Sequence, residues 1–260
     1  MNEIAVIKIG GSTFGSGDTT IEDIVALQKE GKSLVVVHGG GNTVTEWLKT
    51  RGIGTKFVRG ERITDLPTLQ VAAAVLAGLA NKEIAAAINN RGGKAAGISG
   101  VDGAMVESRM KSPELGYVGE VVKVNPAVLE ALLGGGFIPV VSPISLLSIG
   151  RPEGAPDIIN INGDPVAGEI AAAVKAGRLI FLTDVAGVSD ASGEVISRLS
   201  VTEVEKLVAA GVISGGMIPK INACLKALNA GAVTRIIDGR VPHALREEFE
   251  APRGGTTIYK

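Results

Sequence analysis

The sequence contains few cysteine, histidine and aromatic residues. Of its 260 residues, one is cysteine, two are histidine, and 3% are aromatic. Cys224 has no second cysteine with which to form an intramolecular disulfide, which favours a reducing, cytoplasmic setting. We interpret Cys224 as a small apolar residue packed on a helix. The shortage of histidine and cysteine argues against a metal centre built from these side chains.

The sequence also shows no excess of one charge and no long hydrophobic run. Lys and Arg number 26 against 27 Asp and Glu, so neither nucleic acid nor a membrane surface is expected as a partner. The longest apolar run, residues 71–80, is too short to cross a bilayer, and no signal-peptide pattern precedes Ile4. The Walker A and GxGxxG nucleotide motifs are absent, and so is the GxSxG elbow of serine hydrolases. A hydrolase is therefore disfavoured, and a nucleotide would have to be held in another way.

The most informative stretch is an apolar run that leads into three glycines. Residues 34–37 are Leu-Val-Val-Val, His38 follows, and residues 39–41 are all glycine. An apolar run without polar alternation is typical of a strand buried on both faces in a parallel sheet. Thr43-x-x-Glu46 has the pattern of a capping box that starts a helix. Because bare backbone N–H groups and a helix N-terminus attract negative charge, we predict an anion site here; the alternative is a tight turn only.

Two lysines stand beside further glycine pairs. Lys8 lies near the end of an apolar strand predicted at residues 4–9, just before Gly10 and Gly11, and Lys220 follows the glycines at 215–216 at the start of a predicted helix. Lysines beside glycine loops are well placed to bind phosphate. The alternative for Lys8 is a side chain that reaches solvent from an edge strand.

Residues 157–165 are predicted to form a strand that presents alternate polar side chains. Asn160, Asn162 and Asp164 are spaced by two, which places them on one side of a strand. The alternative for Asp164 is that it caps a helix starting at Pro165.

Strand and helix patterns alternate over the whole length, which predicts an α/β fold with a mainly parallel central sheet. Residues 65–90 are predicted to form one long helix whose Ala/Gly-rich middle allows close packing, including a symmetric dimer contact. Residues 104–123 are predicted to form a hairpin, and the closing stretch 254–258 an edge strand. The residue types of the strands and loops change near residue 177, which indicates that the chain forms two lobes.

The chemistry that these side chains favour is phosphoryl transfer. This reaction needs donors and cations arranged around a transferring group and little covalent work by the protein. The shortage of histidine agrees with a carboxylate acceptor, because a carboxylate is already ionised at neutral pH and needs no general base.

Five motifs, taken together and in order, resemble the amino acid kinase family, and within it the N-acetylglutamate kinases. The motifs lie at residues 7–12, 38–41, 60–65, 160–164 and 216–220. Each is unspecific alone, and the resemblance covers essentially the whole chain. It implies a three-layer αβα sandwich of the carbamate kinase type. It also implies transfer of the γ-phosphoryl group of MgATP to the side-chain carboxylate of N-acetyl-L-glutamate, the second step of arginine biosynthesis.

The resemblance further implies which residues form the site. By this resemblance, the catalytic residues would be Lys8, Lys220, Asp164 and Gly11. Acceptor binding falls on Gly40, Gly41, Arg62 and Asn160. Nucleotide binding falls on Gly10, Ser12, Asp184, Val185, Ala186, Gly187, Val188, Ser189, Val212, Ile213, Ser214 and Met217. No protein side chain would bind Mg²⁺, because the ATP phosphates would hold it.

The resemblance also gives expectations about organisation. Residues 1–176 would form a lobe that binds the acceptor and dimerises through the helix at 65–90, and residues 177–260 a lobe that binds ATP, with one continuous sheet through both. The hairpin at 104–123 would be a lid over the acceptor. Arginine-inhibited hexameric members carry an additional N-terminal helix, and Lys8 lies too near the start for one, so we predict a dimer insensitive to arginine. A nitrogen-signalling partner cannot be inferred from the sequence.

Two alternatives remain. A kinase for glutamate or α-aminoadipate attached to an acidic carrier protein would need a basic collar, but residues 104–123 offer three basic side chains against three acidic ones. A non-catalytic sensor of amino acids or nucleotides would have no reason to keep both lysines and Asp164.

Overall fold

A computed structural model describes residues 3–10, 19–58 and 60–260. Gly11 and Ser12, two of the predicted site residues, lie outside the described residues. The strands are β1 (Ile4–Ile9), β2 (Ser33–His38), β3 (Phe57–Val58), β4 (Glu61–Arg62), β5 (Ala95–Ser99), β6 (Val106–Met110), β7 (Gly119–Val124), β8 (Ile138–Ser142), β9 (Ile144–Leu147), β10 (Ile158–Asn160), β11 (Arg178–Thr183), β12 (Arg198–Ser200), β13 (Val233–Asp238) and β14 (Thr256–Tyr259). The helices are α1 (Thr20–Lys29), α2 (Gly41–Thr50), α3 (Leu66–Ala73), α4 (Asn81–Asn90), α5 (Ala127–Gly134), α6 (Gly163–Ala173), α7 (Val201–Ala209), α8 (Met217–Asn229) and α9 (Ala244–Glu250).

An eight-stranded sheet forms the centre, in the order β12-β14-β13-β11-β1-β2-β8-β5. Every neighbouring pair in it is parallel except β13 and β14, so the predicted mainly parallel α/β sheet is confirmed. The prediction that the last strand lies at an edge was wrong, because β14 lies between β13 and β12. β14 pairs with β13 through Thr256–Ile258 and with β12 through Thr257–Tyr259, so both of its edges are hydrogen-bonded.

Helices cover both faces of the sheet, because side chains alternate along each buried strand. On β1, Val6 faces a core that includes Cys224 of α8, whereas Ile7 faces a second core that includes Ile24 of α1 and Ile88 of α4. Burying a side chain of this size stabilises the fold by about 1.5 to 3 kcal/mol. Burial also raises the pKa of the Cys224 thiol to about 12, in agreement with its predicted role as an apolar core residue.

The long helix predicted at residues 65–90 is present, with an irregular middle. Asp65 caps its start by accepting a hydrogen bond from the N–H of Thr68 at 2.9 Å, and a π-helical segment, Ala74–Ala80, joins α3 to α4. By length and composition, Leu66–Asn90 is long and apolar enough to cross a membrane. Val75 and Ile88 are fully buried inside the protein, as in the core helix of a globular fold.

A second, four-stranded sheet has the order β10-β9-β6-β7 and contains the predicted hairpin, formed by antiparallel β6 and β7. The turn of the hairpin is bonded to the segment before α3. Thr64 donates its N–H to the carbonyl of Leu115 at 2.9 Å, and Tyr117 donates its N–H to the carbonyl of Thr64 at 2.7 Å. The hairpin is thereby tied to the segment that carries Arg62.

A histidine–carboxylate pair joins the two ends of the chain and gives a testable pH dependence. His243 Nδ1 lies 2.7 Å from Asp23 Oδ1, and this hydrogen bond raises the pKa of His243 above its ordinary value. The stabilisation is therefore fully present below the unfolded pKa of about 6.5 and is lost as pH rises through the higher folded-state pKa. His243 has φ of 58°, which asparagine tolerates. Burial raises the pKa of Asp23, so the ion pair also requires a pH above that carboxyl's titration. We expect the melting temperature of the native chain to exceed that of His243→Asn most at mildly acidic pH, where Asp23 is ionised and His243 is protonated, with the difference shrinking as pH rises; a constant difference would contradict this.

Candidate active site

The site lies at the carboxyl ends of β1 and β2, where Lys8 and Lys220 meet one carboxylate. Lys8 Nζ lies 2.6 Å from Asp164 Oδ1, and Lys220 Nζ lies 2.9 Å from Asp164 Oδ2. Asp164 is 3% exposed. Lys8 points to the same face of the sheet as Val6, which is the face covered by α6 and α8. The alternative of a solvent-reaching Lys8 is excluded, because β1 is central and Lys8 is buried.

Asp164 reaches this position from a helix and not from a strand, which corrects one prediction. β10 ends at Asn160, and Asn162 is the N-cap of α6, because its Oδ1 accepts a hydrogen bond from the N–H of Asp164 at 2.9 Å. The strand pattern therefore stops before Asn162, and the alternative in which Asp164 itself caps the helix is also wrong. Asp164 occupies the first turn of α6.

The close packing of α6 on α8 sets the distance between Asp164 and Lys220. A Cβ on Gly168 would lie only 2.7 Å from the Cα of Ala223. Gly168 lies one turn after Asp164, and Ala223 lies nearly one turn after Lys220. The two helices can touch here only because residue 168 has no side chain, and this contact brings their first turns together.

Electrostatics keep the Asp164 carboxylate ionised. Burial by itself raises the pKa of Asp164. The charges and hydrogen bonds of Lys8 and Lys220 together lower it by more than burial raises it, so the pKa of Asp164 lies below its ordinary value. The result is a buried group with two positive charges around one negative charge. Such a group attracts an additional anion and offers it two ammonium donors.

The glycine loop borders a cavity of about 250 Å³ that Lys8 also lines. Gly40 has φ of 149°, and a Cβ there would lie 2.8 Å from Leu76 Cδ2. At Gly41 a Cβ would meet no atom within 4 Å, so its backbone is open to the cavity. The predicted capping box was wrong: Gly40 is the N-cap of α2, and Thr43 lies inside the helix. The glycine conformation starts the helix earlier than expected, which leaves its first N–H groups at the cavity.

Arg62 enters the same cavity with half of its guanidinium bonded to protein. Nη2 donates to the carbonyl of Gly41 and to Thr45 Oγ1, each at 2.9 Å. Nη1 is buried and has no hydrogen-bond partner within the described ranges. The Phe57 ring covers the guanidinium at 4.8 Å. Because a buried guanidinium nitrogen without a partner is costly, Nη1 is suited to bind a carboxylate.

The remaining walls of the cavity are mixed in character. Asn160 and Asn162 contribute amide groups, and the apolar part is lined by Val44, Leu76, Val118, Pro143 and Ile161. Thr45 and Phe57, which hold and cover Arg62, were not predicted from the sequence. No local signal distinguishes these two residues from ordinary surface positions, because their role depends on where Arg62 lies in space.

The residues predicted to bind nucleotide form two segments at the ends of β11 and before α8. Asp184, Val185 and Ala186 are exposed, and so is Ser214. Gly187 is buried, and Ser189, Val212 and Met217 are partly buried. Gly10 follows β1 directly, and its N–H donates to the carbonyl of Leu182 at 3.2 Å. The side chains of Val188 and Ile213 belong to the hydrophobic core, so any contact from these two would come from the backbone.

A second cavity, of about 830 Å³, adjoins the first, and Glu61 and Asn162 line both. It lies between the start of α8, represented by Gly215 and Ile218, and the hairpin residue Lys111. Lys111 Nζ lies 2.6 Å from Glu61 Oε2, which ties the hairpin to β4 across the mouth. In the described part of the chain, no three His, Cys, Asp or Glu side chains are grouped to hold a metal ion.

Comparison with known proteins agrees with this geometry. A family profile described as the amino acid kinase family matches residues 3–238. The chain belongs to this family. The acetylglutamate kinase of Dehalococcoides mccartyi is 51% identical over 257 residues, covering 99% of this chain and 94% of that protein. The resemblance inferred from the five motifs is therefore confirmed.

Solved structures of amino acid kinase folds superpose over nearly the whole chain. N-acetylglutamate synthase from Neisseria gonorrhoeae gives a TM-score of 0.83 at 25% identity, covering 99% of this chain and 59% of that one. Carbamate kinase from Giardia gives a TM-score of 0.72 at 16% identity, covering 100% of this chain and 99% of that one, and shows the fold alone. The predicted αβα sandwich of the carbamate kinase type is confirmed.

Proposed function

We propose that this protein transfers the γ-phosphoryl group of MgATP to the side-chain carboxylate of N-acetyl-L-glutamate. The observation that carries the proposal is the Lys8–Asp164–Lys220 group, with ammonium-to-carboxylate distances of 2.6 and 2.9 Å. It lies beside a cavity where Arg62 Nη1 has no hydrogen-bond partner among the described residues. Similarity to acetylglutamate kinases supports the choice of acceptor.

The reaction requires little covalent chemistry from the protein. An oxygen of the acceptor carboxylate forms a bond to the γ-phosphorus while the bond from that phosphorus to the β–γ bridging oxygen breaks, giving an acyl phosphate and ADP. Because the acceptor is already ionised, no proton needs to move. Mg²⁺, which the nucleotide phosphates would hold, would neutralise part of the phosphate charge.

The two lysines act on the charge that spreads over the transferring group. Lys8 approaches from β1 and Lys220 from α8, and Asp164 holds both ammonium groups in place before the substrates bind. Preorganised donors of this kind do not need to reorient during the reaction, which is where their advantage over water arises. The N–H groups of Gly40 and Gly41, together with that of Gly11, would add donors around the same group.

Arg62 and Asn160 would bind the acceptor, and the two segments 184–189 and 212–217 would bind the nucleotide, with contributions from Gly10 and Ser12. On this assignment, residues 1–176 form the acceptor lobe and residues 177–260 the ATP lobe, and one sheet contains strands from both. The β6–β7 hairpin would cover the acceptor as a lid.

A kinase for carrier-bound substrates is the weaker candidate. Such an enzyme needs free basic side chains around the acceptor mouth. The three basic residues of the hairpin are already paired with carboxylates, in the pairs Arg109–Glu120, Lys111–Glu61 and Lys123–Glu107. An acidic carrier protein would have to break these pairs.

We also propose that the protein is a cytoplasmic homodimer. Gln70, Ala74 and Gly78 are exposed on the outer side of Leu66–Asn90, and small side chains let a second copy of this helix approach closely. Sedimentation of the purified chain would measure its mass directly.

A hydroxamate trap tests the proposed function. The protein is incubated with MgATP and hydroxylamine, and N-acetylglutamate, glutamate and α-aminoadipate are offered separately. Hydroxamate should form with N-acetylglutamate in large excess over the other two. Equal or greater product with another acceptor would reject the assignment of substrate, and no product with any acceptor would reject carboxylate phosphorylation.

Replacing Arg62 tests the acceptor site. We expect Arg62→Ala to raise KM for N-acetylglutamate by about 10- to 100-fold with a smaller change in kcat, because the lost contact exists in both ground and transition states and is worth roughly 1.5 to 3 kcal/mol. Steady-state kinetics with saturating MgATP measures this. Arg51→Ala, which removes a solvent-exposed arginine stacked on Trp47, is the control and should leave KM unchanged. A large fall in kcat at constant KM would place Arg62 in the chemical step instead.

A further inference from the structure

A set of buried hydrogen bonds supports the glycine loop from the opposite face of the sheet. His38, the last residue of β2, is fully buried. Alternation along β2 places its side chain on the face of Val36, which is covered by α1 and α4, whereas Lys8 points to the face covered by α6 and α8. The ring therefore acts on the site only through the backbone of the loop.

The direction of each hydrogen bond in this set can be assigned from the groups involved. Lys82 Nζ lies 3.1 Å from Asn81 Oδ1, and an ammonium group can only donate, so this atom is the carbonyl oxygen of Asn81. The other atom is then the amide nitrogen, which lies 3.2 Å from His38 Nε2. Nε2 must accept, so the ring proton is on Nδ1, which donates to the carbonyl of Gly39 at 2.7 Å.

The other neighbours of the Asn81 amide nitrogen agree with this assignment. It lies 2.8 Å from the carbonyl of Val140 and 3.1 Å from the carbonyl of Ile98, so every group around it accepts, and its two hydrogens are shared among three acceptors, of which Nε2 is the most distant. These bonds anchor Asn81 to β8 and β5 at the point where the π-helical segment ends. Burial lowers the pKa of His38 to about 4, so the ring is neutral near pH 7.

The geometry of a peptide bond carries the effect to the active site. In a planar trans peptide, the carbonyl of Gly39 and the N–H of Gly40 point in opposite directions. A Gly39 carbonyl held against the His38 ring therefore turns the Gly40 N–H away from that ring, towards the face that Lys8 occupies. Gly40 has φ of 149°, a conformation in which glycine has many neighbouring alternatives, so an external restraint is needed to keep one of them.

We propose that His38 and Asn81 are positioning residues that hold the Gly39–Gly40 peptide with its N–H directed at the transferring phosphoryl group. This inference rests on the proposed phosphoryl transfer, and it names the side chains that orient one of the backbone donors, the N–H of Gly40. The bond from Asn81 to Nε2 favours the ring tautomer with its proton on Nδ1. That proton in turn holds the carbonyl of the Gly39–Gly40 peptide.

Kinetics of two asparagine variants test the inference. Asn81→Ala removes the donor to Nε2, and we expect kcat to fall by about 10- to 100-fold with KM for N-acetylglutamate nearly unchanged, because the misplaced N–H acts on the transition state. Asn89→Ala is the matched control. Asn89 lies on the same helix and makes two bonds to Ala95, of 3.1 and 2.7 Å, none of them to the loop. It should retain native kcat.

Two substitutions of His38 separate the effect of its hydrogen bond to Gly39 from the effect of the space that its ring fills. Asparagine and leucine have similar size, but only the asparagine amide can donate to the carbonyl of Gly39 from near the position of Nδ1. We expect His38→Asn to keep at least about tenfold more of the native kcat than His38→Leu, a difference that follows from one retained donor. Equal activity of the two would overturn the role of the hydrogen bond.

Long-range ¹H–¹⁵N correlation on protein labelled at histidine reads the tautomer directly. The chain has two histidines, so His243→Asn assigns both signals. His38 should carry its proton on Nδ1 in the native chain and in Asn89→Ala, and should become a mixture in Asn81→Ala. A proton on Nε2 in the native chain, or equal kcat for Asn81→Ala and Asn89→Ala in an active enzyme, overturns this inference alone. An inactive native chain in the hydroxamate trap overturns the proposed function.

Discussion

Alanine in place of Lys8 or Lys220 is expected to lower kcat by about 10²- to 10³-fold, which corresponds to roughly 2.7 to 4 kcal/mol of transition-state stabilisation. Each lysine contributes a charged donor that is already held 2.6 or 2.9 Å from Asp164 before the reaction begins. Because this charge acts mainly in the transition state, KM for MgATP should change by only a few-fold. Initial rates in the hydroxamate assay at saturating substrates measure the loss.

The helix pair that carries Lys220 also offers a control. Lys226 on α8 pairs with Glu169 on α6 at 3.0 Å, about two turns from the site, and is half exposed. Lys226→Ala should therefore retain kcat within about twofold, since exposed ion pairs contribute only about 0 to 1 kcal/mol. Urea unfolding of each variant separates loss of fold from loss of chemistry. A folded Lys8→Ala protein with native kcat would remove Lys8 from the mechanism, and the same holds for Lys220.

Gly168→Ala is expected to cost about 1 to 3 kcal/mol of folding free energy and to lower kcat as well. The added methyl group would lie 2.7 Å from the Cα of Ala223, 2.8 Å from its Cβ and 2.8 Å from its carbonyl oxygen. Backbone atoms cannot rotate away as a flexible side chain can, so α6 and α8 must separate. This movement would lengthen the contact between Asp164 and Lys220. Urea denaturation and steady-state kinetics measure the two effects.

Other substitutions at helical glycines and at the contact show whether the effect is local. Gly134→Ala places a methyl group where no atom lies within 4 Å and should be neutral or slightly stabilising. Ala223→Gly in the Gly168→Ala background removes one of the three close contacts and should restore only part of the stability. If Gly168→Ala matched Gly134→Ala in both stability and kcat, the close packing of α6 on α8 would not be what positions Asp164.

Much of the fold followed from local patterns in the sequence. The apolar runs at β1 and β2 predicted buried strands because each lacks polar alternation, and the structure buries them on both faces. Ser200 and Glu203 form the capping box that their spacing indicates. These features depend on neighbours within a few residues, so sequence alone was sufficient.

The candidate site was also predicted only in part from the sequence. The residue types at Lys8, Asp164 and Lys220 indicated a phosphate site, but the strand pattern placed Asp164 on the wrong element. The local hydrogen bond from the N–H of Asp164 to Asn162 ended the strand alternation and began α6. Over the five residues 160–164, the spacing of polar side chains alone does not distinguish a strand from the first turn of a helix.

Residue types and their order along the chain therefore determined by themselves the α/β alternation, the glycine loops and the presence of two lysines with one carboxylate. Only the tertiary structure decided that the three charges meet, that one nitrogen of Arg62 finds no partner in the described part of the chain, and that β14 lies inside the sheet. The physical reason is distance along the chain. Lys8, Asp164 and Lys220 are joined by contacts such as that between Gly168 and Ala223, whose strength depends on atoms brought together by folding and not on neighbouring residues.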